Sequence, residues 1–503
     1  MARGAVAAGS PEAVEAGLGV LRDGGSAADA AIAASLMAGV SEPLLAGLGG
    51  AGLAMLRTAA GEVACLDLFA AMPGLSGKTG GPMREILVDF GTTTQPFWCG
   101  PASVAPWGVP GGLAALHARA GRLPLARLAE PAARRAEEGQ PVSRVAAVIF
   151  EMLASILQED AGAAAAWRPG GRALPAGAVM RRPAYAETLR AFGREGAAPF
   201  QSGAVAAAAV ARVGAAGKLS MEDLAAWAPA WVAPLSVAYR GAVVHLPPPP
   251  SVGGLLLAQA LRALEQGGEV PAMGSAEEAL RLAAVLGLGD RARRERIPRG
   301  IGDPAFVDGF LTALDLPAPR GRIPGHTTHV SVVDADGAVV TITQSLGETA
   351  GIEVPGTGMW MNNLLGEADV NPPAARIPAG ARLQTMCTPV IVEHAGGVVA
   401  LGSSGSSRIR SAVLNGIVAR VDHRAPLRLA VDAPRVHVDE GQTLLEGAGR
   451  PAAVVAAVEA ALPEARVFRE PTMFFGGMNA VACGPLGVEA AGDRRRGGAE
   501  GLA

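Results

Sequence analysis

The sequence predicts an α+β protein in which helices cover both faces of antiparallel sheets. Helical spacing dominates the first two thirds of the chain, and hairpin signals follow one another in the last third. Strands and helices do not alternate one by one, as they would in a parallel sheet. Half of the 503 residues are hydrophobic and 18% are charged, a composition that supplies a large core and excludes a disordered or collagen-like chain.

Two helices are predicted near the N-terminus. Ser10-Pro11 is a typical helix start, because serine caps the first turn and proline fits its first position. The double glycine at 24–25 ends this helix, and Ser26 begins an alanine-rich helix that runs through Ala38. The small side chains of the second helix predict close packing against a flat partner such as a sheet.

Several hairpins are predicted by turn residues that lie between β-favouring runs. AGLAMLR and EVACLDLF are joined by a short glycine-containing link, and LSVAYRGAVVHL contains a second strand pair. In THVSVVDADGAVVTIT the turn is Asp334-Ala335-Asp336-Gly337, a strong hairpin signal. TPVIVEHAGGVVALG repeats the pattern, and SSRIRSAVLNGIVARV then returns to helical spacing.

The middle of the chain is predicted to be mainly helical, over residues 113–120, 124–138, 176–226 and 255–315. SMED at 220–223 is typical of the capped start of a helix. The charge-dense stretch DRARRERIPR falls within the last of these ranges. We expect it to form a solvated face.

Charge and hydropathy exclude several classes of partner. The formal net charge is −3, so no basic field exists to hold nucleic acid or anionic lipid. No run of ~18 uncharged apolar residues predicts a membrane-spanning helix. The four cysteines lie far apart without a C-x-x-C pair, which favours a reducing compartment and no disulfide framework. The N-terminus lacks the apolar block of a secretory signal, so we expect a cytoplasmic protein.

GLGGAG at 47–52 fits the pattern G-x-G-x-x-G, and Asp67 lies twenty residues past Gly47. A dinucleotide site requires a strand before the glycines and a helix after them. Here the predicted order is reversed, which favours a structural glycine turn. The histidines form no H-x-x-x-H pair, and no G-x-S-x-G sequence is present. The sequence therefore predicts no metal site, no cofactor and no serine triad.

The informative segment is GHTTHVSVVDADGAVVTITQS, in which a hydroxyl residue stands where the strand-rich last third begins. Such a residue is well placed to act as a nucleophile at a strand end. Threonine is also common at ordinary strand starts, where it is only a β-favouring side chain. On the residues of this segment alone, the ordinary strand start is the favoured interpretation.

TTHVSVVDADGAVV resembles the first residues of the small subunit of gamma-glutamyltranspeptidases, which belong to the N-terminal nucleophile hydrolases. Further segments are similar to that family in the same order: residues 9–57, 108–139, 218–254, 354–363, 401–418 and 474–495. These similarities extend over most of the chain. The resemblance implies a four-layer αββα sandwich of antiparallel sheets and helices.

The resemblance also implies that the chain cuts itself between His326 and Thr327. Residues 1–326 would then form a large subunit and residues 327–503 a small one, and the two chains would stay associated as one folded unit. A threonine hydroxyl is a poor nucleophile near neutral pH and needs a base. As an N-terminal residue Thr327 would carry its own base, because an α-amine has a pKa near ~8.

Two further catalytic positions follow from the resemblance. Ser345 falls where the family has a threonine whose hydroxyl bonds the oxygen of the nucleophile. Gly405-Ser406 falls on the Gly-Gly pair whose backbone N–H groups form the oxyanion hole. Backbone donors survive a Gly→Ser change where the dihedral angles are compatible. SSGSSR also suits a helix start, which presents free N–H groups.

The substrate end departs from the pattern of the family. The arginine that grips the α-carboxylate of glutamate aligns with Phe69, which removes a bidentate clamp. The asparagine two residues after the hydroxyl partner is Gly347. Leu364 replaces a polar partner of the α-amine, while the aspartate that follows in the family appears as Glu367.

The paired serines of the family are also changed. They become Gln384-Thr385 if Met386 anchors the match, or Thr385-Met386 if Pro389 does. Both choices keep Thr385. We therefore expect Glu367, Thr385 and Phe69 to contact the substrate.

The sequence thus predicts a self-processing amidohydrolase with a retained reaction centre and a rebuilt specificity pocket. We expect Thr327 to form an acyl-enzyme from a small amide that lacks the glutamyl zwitterion, and water to release it. The first alternative is a true γ-glutamyl hydrolase or transpeptidase of glutathione-like compounds. The second is an inactive family member that acts as a binding protein. A homodimer is allowed for in either case.

Overall fold

The computed structural model describes residues 3–89, 94–158, 160–312 and 327–503. Its helices are α1 (Pro11–Arg22), α2 (Ala27–Ser41), α3 (Val109–Ala120), α4 (Leu125–Glu138), α5 (Arg144–Met152), α6 (Ala154–Leu157), α7 (Ala161–Trp167), α8 (Pro183–Glu195), α9 (Ala198–Gln201), α10 (Ala204–Val213), α11 (Met221–Ala226), α12 (Val252–Gln266), α13 (Ala276–Glu295), α14 (Ile297–Gly300), α15 (Pro304–Thr312), α16 (Arg408–Val421), α17 (Leu427–Asp432) and α18 (Ala452–Ala461). None of these described helices is both long and apolar enough to cross a membrane.

The strands are short and spread over the whole chain. They are β1 (Ala5–Ala8), β2 (Ala51–Arg57), β3 (Val63–Leu68), β4 (Arg84–Asp89), β5 (Thr94–Cys99), β6 (Gln140–Pro141), β7 (Val179–Met180), β8 (Ala230–Val232), β9 (Leu235–Tyr239), β10 (Ala242–Leu246), β11 (Thr328–Val333), β12 (Val339–Ser345), β13 (Glu353–Val354), β14 (Met359–Trp360), β15 (Val390–His394), β16 (Gly397–Ser404), β17 (Val436–Asp439), β18 (Gln442–Glu446), β19 (Arg466–Phe468), β20 (Gly477–Gly484), β21 (Gly487–Ala491) and β22 (Ala499–Leu502).

Two antiparallel sheets form the centre of the described structure. The first has the strand order β22-β1-β11-β12-β2-β3-β8, and the second has the order β21-β20-β16-β15-β10-β9. Both ends of the chain enter the first sheet, where β1 pairs with β11 on one side and with β22 on the other. The hairpin β11–β12 therefore lies inside this sheet, with paired neighbours on both sides.

The sheets and helices stack in four layers. Apolar side chains such as Ala7, Met55, Ile391 and Val481 are buried between the two sheets. The outer face of the first sheet packs against α1, α2 and α3, with α4 and α8 behind them. The outer face of the second sheet packs against α12 and α16, and α13 lies behind α12. This arrangement confirms the αββα sandwich.

The predicted helix starts are confirmed by their capping hydrogen bonds. The Ser10 hydroxyl accepts from the N–H of Ala13 at 3.3 Å. Ser26 and Ser220 each form a reciprocal capping box with the aspartate three residues later. Every residue of α2 is buried, as its small side chains predicted.

Helix α3 begins at Val109, four residues before the predicted start. Two glycines in its first turn are the reason. A Cβ at Gly111 would lie 2.4 Å from the Trp227 ring, and one at Gly112 would lie 2.2 Å from the Leu68 side chain. The helix can therefore pack closely only with glycine here, although glycine disfavours helix in sequence-based prediction.

The predicted solvated face in DRARRERIPR is wrong. Asp290 and Arg293 of this stretch are buried on α13. Arg293 pairs with Asp369 at 2.5 Å and with Asp439 at 2.7 Å. Asp290 in turn accepts from Arg410 at 3.4 Å. These partners come from distant segments, so the local sequence did not indicate them.

Candidate active site

The hairpin β11–β12 places Thr327 and Ser345 side by side. Thr328 pairs with Gln344 in the antiparallel register, so the residues just beyond this pair, Thr327 and Ser345, meet at the same end of the hairpin. Thr327 is 4% exposed and Ser345 is 7% exposed. His326, the other side of the predicted cleavage, lies outside the described residues.

A small cavity lies at this end of the hairpin; we call it the nucleophile cavity. Its lining residues are Phe69, Thr327, Ser345, Leu364, Glu367, Asp369, Val370, Thr385, Met386, Cys387, Ser406 and Ile409. Six of the seven site residues predicted from the sequence line it, and the seventh, Gly405, directly precedes Ser406. Its volume is about 20 Å³, on the order of the space that one buried water needs.

Glycines allow the loop before β2 to approach Ser345. A Cβ at Gly50 would lie 2.6 Å from the Ser345 carbonyl oxygen. The Ser345 hydroxyl accepts a hydrogen bond from the N–H of Gly347 at 2.9 Å. The GLGGAG motif therefore has a structural role: it lets the chain pass close behind the end of β12.

Gly405 and Ser406 form the turn between β16 and α16. Their φ angles are 116° and 50°, and a left-handed conformation costs a serine on the order of 1 kcal/mol or more. In the described part of the chain no side chain caps the start of α16 at Ser407. The first two N–H groups of this helix, those of Arg408 and Ile409, donate to the carbonyls of Gly405 and Ser406 at 3.0 and 2.9 Å, so the turn and the helix start form one hydrogen-bonded unit.

Glu367 presents a buried carboxyl group to the nucleophile cavity. Burial, together with the charge of Asp369, raises the pKa of Glu367 to about 8. Among the described residues its Oε1 atom has no hydrogen-bond partner. A Cβ at Gly347 would lie 2.4 Å from this oxygen, so the carboxyl group lies against the segment that follows Ser345.

Asp369 is a cavity residue that the sequence did not indicate. Its ion pair with Arg293 joins it to Asp439, which accepts from the Ser407 hydroxyl at 3.2 Å. Burial alone would raise the pKa of Asp439, but Arg293 and His437 hold it well below its ordinary value. One buried arginine thus connects the Glu367–Asp369 wall of the cavity with the turn before α16.

The side of the cavity that Phe69 lines is largely apolar. The Phe69 ring is 1% exposed and shares the cavity with Leu364, Met386 and Ile409. The described lining contains no arginine or lysine. This cavity therefore offers no cation for the α-carboxylate of a glutamyl group.

The two alignments of the serine pair differ in what they place at the cavity. Thr385 and Met386 line it, whereas the Gln384 side chain points to the carbonyl of Pro298, with an N–O distance of 3.5 Å. The Thr385 hydroxyl accepts from the N–H of Cys387 at 3.0 Å. The placement favours the alignment that pairs Thr385 with Met386.

Glu42, at the end of α2, was also missed. The Thr328 hydroxyl donates to Glu42 Oε2 at 2.8 Å, next to the residue that would become an N-terminus. Burial raises the pKa of Glu42 to about 7, against the lowering effect of the Thr328 hydrogen bond. An acid after an alanine-rich helix gives no sequence signal for this contact.

An αββα sandwich with a hydroxyl residue at the start of an inner strand is the arrangement of N-terminal nucleophile hydrolases. The family model described as Gamma-glutamyltranspeptidase matches residues 13–503. The chain therefore belongs to the gamma-glutamyltranspeptidase family.

Individual relatives fall into two groups. The chain is 33% identical to the Acylase ACY 1 proenzyme of Pseudomonas sp. (strain SE83), over 97% of this chain and 91% of that one. It is 28% identical to the Glutathione hydrolase proenzyme of Escherichia coli (strain K12), over 86% and 81% of the two chains.

A solved structure, the cephalosporin acylase from Bacillus halodurans, superposes with a TM-score of 0.83 at 25% identity and covers 99% of this chain and 96% of that one. Acylases and glutathione hydrolases are both amidohydrolases, and the Pseudomonas and Escherichia coli relatives are both named as proenzymes. The comparisons support an amidohydrolase of this family that arises by self-processing.

Proposed function

We propose that the protein is a self-processing acylase in which Thr327 hydrolyses a small N-acyl substrate. The observation that carries this proposal is the nucleophile cavity, which brings Thr327, Ser345, Glu367 and Ser406 together from separate segments of the chain. The first amide to be broken is the chain's own bond between His326 and Thr327. Its cleavage gives Thr327 a free α-amine.

The free α-amine would serve as the base. The Thr327 hydroxyl oxygen attacks the amide carbonyl carbon while its proton moves to the α-amine, whose pKa near ~8 suits this role. As the C–N bond breaks, the same proton passes to the leaving nitrogen. Water then attacks the acyl ester, one water proton returns through the amine to the threonine oxygen, and the acid leaves.

The turn before α16 would stabilise the negative oxygen of each tetrahedral intermediate. The N–H groups of Gly405 and Ser406 are the proposed donors, because an oxyanion gains most from fixed donors in a water-poor site. The Ser345 hydroxyl, at the same hairpin end as Thr327, would orient the attacking oxygen.

The lining of the cavity supports an acyl group without an α-carboxylate. Phe69, Leu364 and Met386 supply apolar contact area, and no described cation lines the cavity. The unpartnered oxygen of Glu367 would bind a donor group of the substrate. Identity of 33% to an acylase, over 97% of the chain, favours the same type of substrate.

The test combines a gel with two substrates. The purified chain should separate into two fragments on a denaturing gel and hydrolyse a neutral acyl p-nitroanilide faster than γ-glutamyl p-nitroanilide. Thr327→Ala should abolish both cleavage and hydrolysis, whereas Thr58→Ala, at a distant turn, should change neither. A single band that persists, or faster turnover of the glutamyl compound, would refute the proposal; the second result would favour the γ-glutamyl alternative.

A further inference from the structure

A second cavity, of about 360 Å³, lies where β1 and α2 end; we call it the rear cavity. Its walls include Gly9 and Ser10 after β1, Glu42 after α2 and Arg496 before β22. Its described lining shares no residue with the nucleophile cavity. A cavity of this size can hold several water molecules. The carboxyl group of Glu42 can therefore exchange protons with water from this side.

Glu42 is held against the first residue of β11. The Thr328 hydroxyl donates to Glu42 Oε2 at 2.8 Å. A Cβ at Gly9 would lie 2.3 Å from the same oxygen, so the carboxyl group occupies space that only a glycine leaves open. Because β1 pairs with β11, Gly9 at the end of β1 lies beside the start of β11. The carboxyl group is thus fixed between two neighbouring strands, one residue away from Thr327.

Glu42 and the nucleophile cavity lie on opposite sides of the strand start. Successive side chains alternate between the two faces of an extended chain. Thr327 borders the nucleophile cavity, whereas Thr328 bonds Glu42 at the end of α2. Glu42 therefore does not touch a substrate held in the nucleophile cavity. The backbone nitrogen of Thr327 lies between the two faces, and it is the atom of the nucleophile that the charge of Glu42 can influence.

The charges around Glu42 leave it able to act on a neighbouring cation. The other charged residues of the rear cavity are Glu12, Arg144, Arg494 and Arg496. Arg144 and Arg494 are exposed, so water and salt screen their charges. Burial raises the pKa of Glu42 to about 7, Glu12 adds to this effect, and Arg496 opposes it. Among the described residues the Oε1 atom of Glu42 has no hydrogen-bond partner, so this oxygen can accept from a positive group that arises at the strand start.

We infer that Glu42 is a positioning residue for hydrolysis: its carboxylate stabilises the ammonium that the α-amine of Thr327 becomes when it takes the hydroxyl proton. This inference rests on the proposed function of Thr327. The proton stays on the amine until it passes to the leaving nitrogen, and Glu42 neither takes nor gives it. An opposite charge within ~4–6 Å favours the charged form of an amine, so an ionised Glu42 makes the amine a stronger base. The acids on the other face are Glu367 and Asp369, which line the nucleophile cavity.

Glu42→Gln removes the charge and keeps an acceptor for the Thr328 hydroxyl. With pentanoyl p-nitroanilide as substrate, we expect kcat to fall about tenfold while KM stays unchanged, because the residue acts on the intermediate and does not touch the substrate. The acidic limb of the pH profile of kcat/KM should move down by about one pH unit, since the amine then loses its proton more readily. Self-cleavage should keep the rate of the unaltered chain, because the α-amine arises only when the bond before Thr327 is broken.

Three further variants separate the effect of the charge from that of packing. Glu15→Gln removes an exposed glutamate of α1 that pairs with Arg22 at 2.7 Å, and it should change neither kcat nor the pH profile. Thr328→Val removes the hydroxyl that holds the carboxyl group, and it should lower kcat although valine suits a strand as well as threonine does. Thr328→Ser keeps the hydroxyl and should retain kcat. The Thr328 pair decides the question even if Glu42→Gln folds poorly.

The outcomes distinguish this inference from the proposed function. An unchanged kcat and an unmoved pH profile in Glu42→Gln would overturn the inference, while hydrolysis that depends on Thr327 would leave the proposed function intact. An equal loss of self-cleavage and hydrolysis would also overturn it, since that pattern shows a purely structural role. If the unaltered protein hydrolysed no amide, or if Thr327→Ala still did, the proposed function itself would fail and the inference with it.

Discussion

At the scale of single residues, the hydroxyl of Ser345 lies at the same hairpin end as Thr327. We expect Ser345→Ala to slow both self-cleavage and hydrolysis by about 10- to 100-fold, because one hydrogen bond that orients a nucleophile contributes roughly 1–3 kcal/mol. Time courses on denaturing gels and single-substrate kinetics measure the two rates. Ser345→Thr, which keeps the hydroxyl, is the matched control; equal rates in the alanine variant would remove Ser345 from the site.

The residues of the candidate site differ in how far the sequence could predict them. Thr327, Ser345 and Gly405-Ser406 stand in short strings that resemble a family motif, so their positions could be named before the fold was known. Asp369 lines the nucleophile cavity and pairs with the buried Arg293. Glu42 accepts from the hydroxyl of Thr328, the neighbour of Thr327. Those contacts join distant segments, and a local pattern carries no trace of them.

At the scale of helices and strands, local turn chemistry determined which elements could be predicted. The hairpin β11–β12 was predicted from its turn residues, Asp334 to Gly337. In the structure the Asp334 carboxylate accepts from the N–H of Ala338 at 3.0 Å, which closes this turn. Strand β1 was not predicted. Its sequence, AVAA, has a high helix propensity, and it is a strand only because β11 and β22 pair with it on both sides.

The buried arginine of α13 gives a prediction about how elements are held together. Arg293→Ala should lower the free energy of unfolding by about 3–5 kcal/mol, because Asp369 and Asp439 would remain buried without their partner. Urea unfolding of the Thr327→Ala chain, which we expect to stay uncut, measures this change. Arg194→Ala, on the exposed face of α8, should change it by less than about 0.5 kcal/mol. A loss below about 1 kcal/mol for Arg293→Ala would show that the network does not hold these elements together.

At the scale of the whole molecule, buried titratable groups of opposite type shape the pH dependence of stability. The pKa values of Glu42 and Glu367 are raised by burial to about 7 and about 8. Those of His329 and His437 are lowered by burial to about 3 and about 4. The two glutamates therefore stay protonated in the folded chain at pH values where they are ionised in the unfolded chain. The two histidines stay neutral in the folded chain at pH values where they are protonated in the unfolded chain.

Between the ordinary pKa of glutamate, 4.5, and that of histidine, 6.5, the two differences in bound protons cancel. The contribution of these four groups to stability is then flat. Above pH 6.5 only the carboxyl groups differ between the two states, so stability falls as the pH rises towards 8. Below pH 4.5 only the histidines differ, so stability falls as the pH decreases.

Replacing one of these four residues should make stability depend on pH in this flat range, in a direction that can be predicted. Glu42→Gln removes a proton that only the folded chain holds between pH 4.5 and 7. Relative to the parent Thr327→Ala chain, we expect the variant to gain about 2 kcal/mol in the free energy of unfolding between pH 5 and pH 7, since each pKa unit corresponds to about 1.4 kcal/mol and Glu42 is partly titrated at both ends of this range. The difference should stay constant above pH 7, because Glu42 is then ionised in both states of the parent.

Urea unfolding at pH 5, 7 and 8 measures the difference, and Glu62→Gln, at an exposed turn position, is the control that should show no such trend. A difference that does not change between pH 5 and pH 7 would mean that the carboxyl of Glu42 is ionised in the folded chain, with Arg496 as a compensating charge.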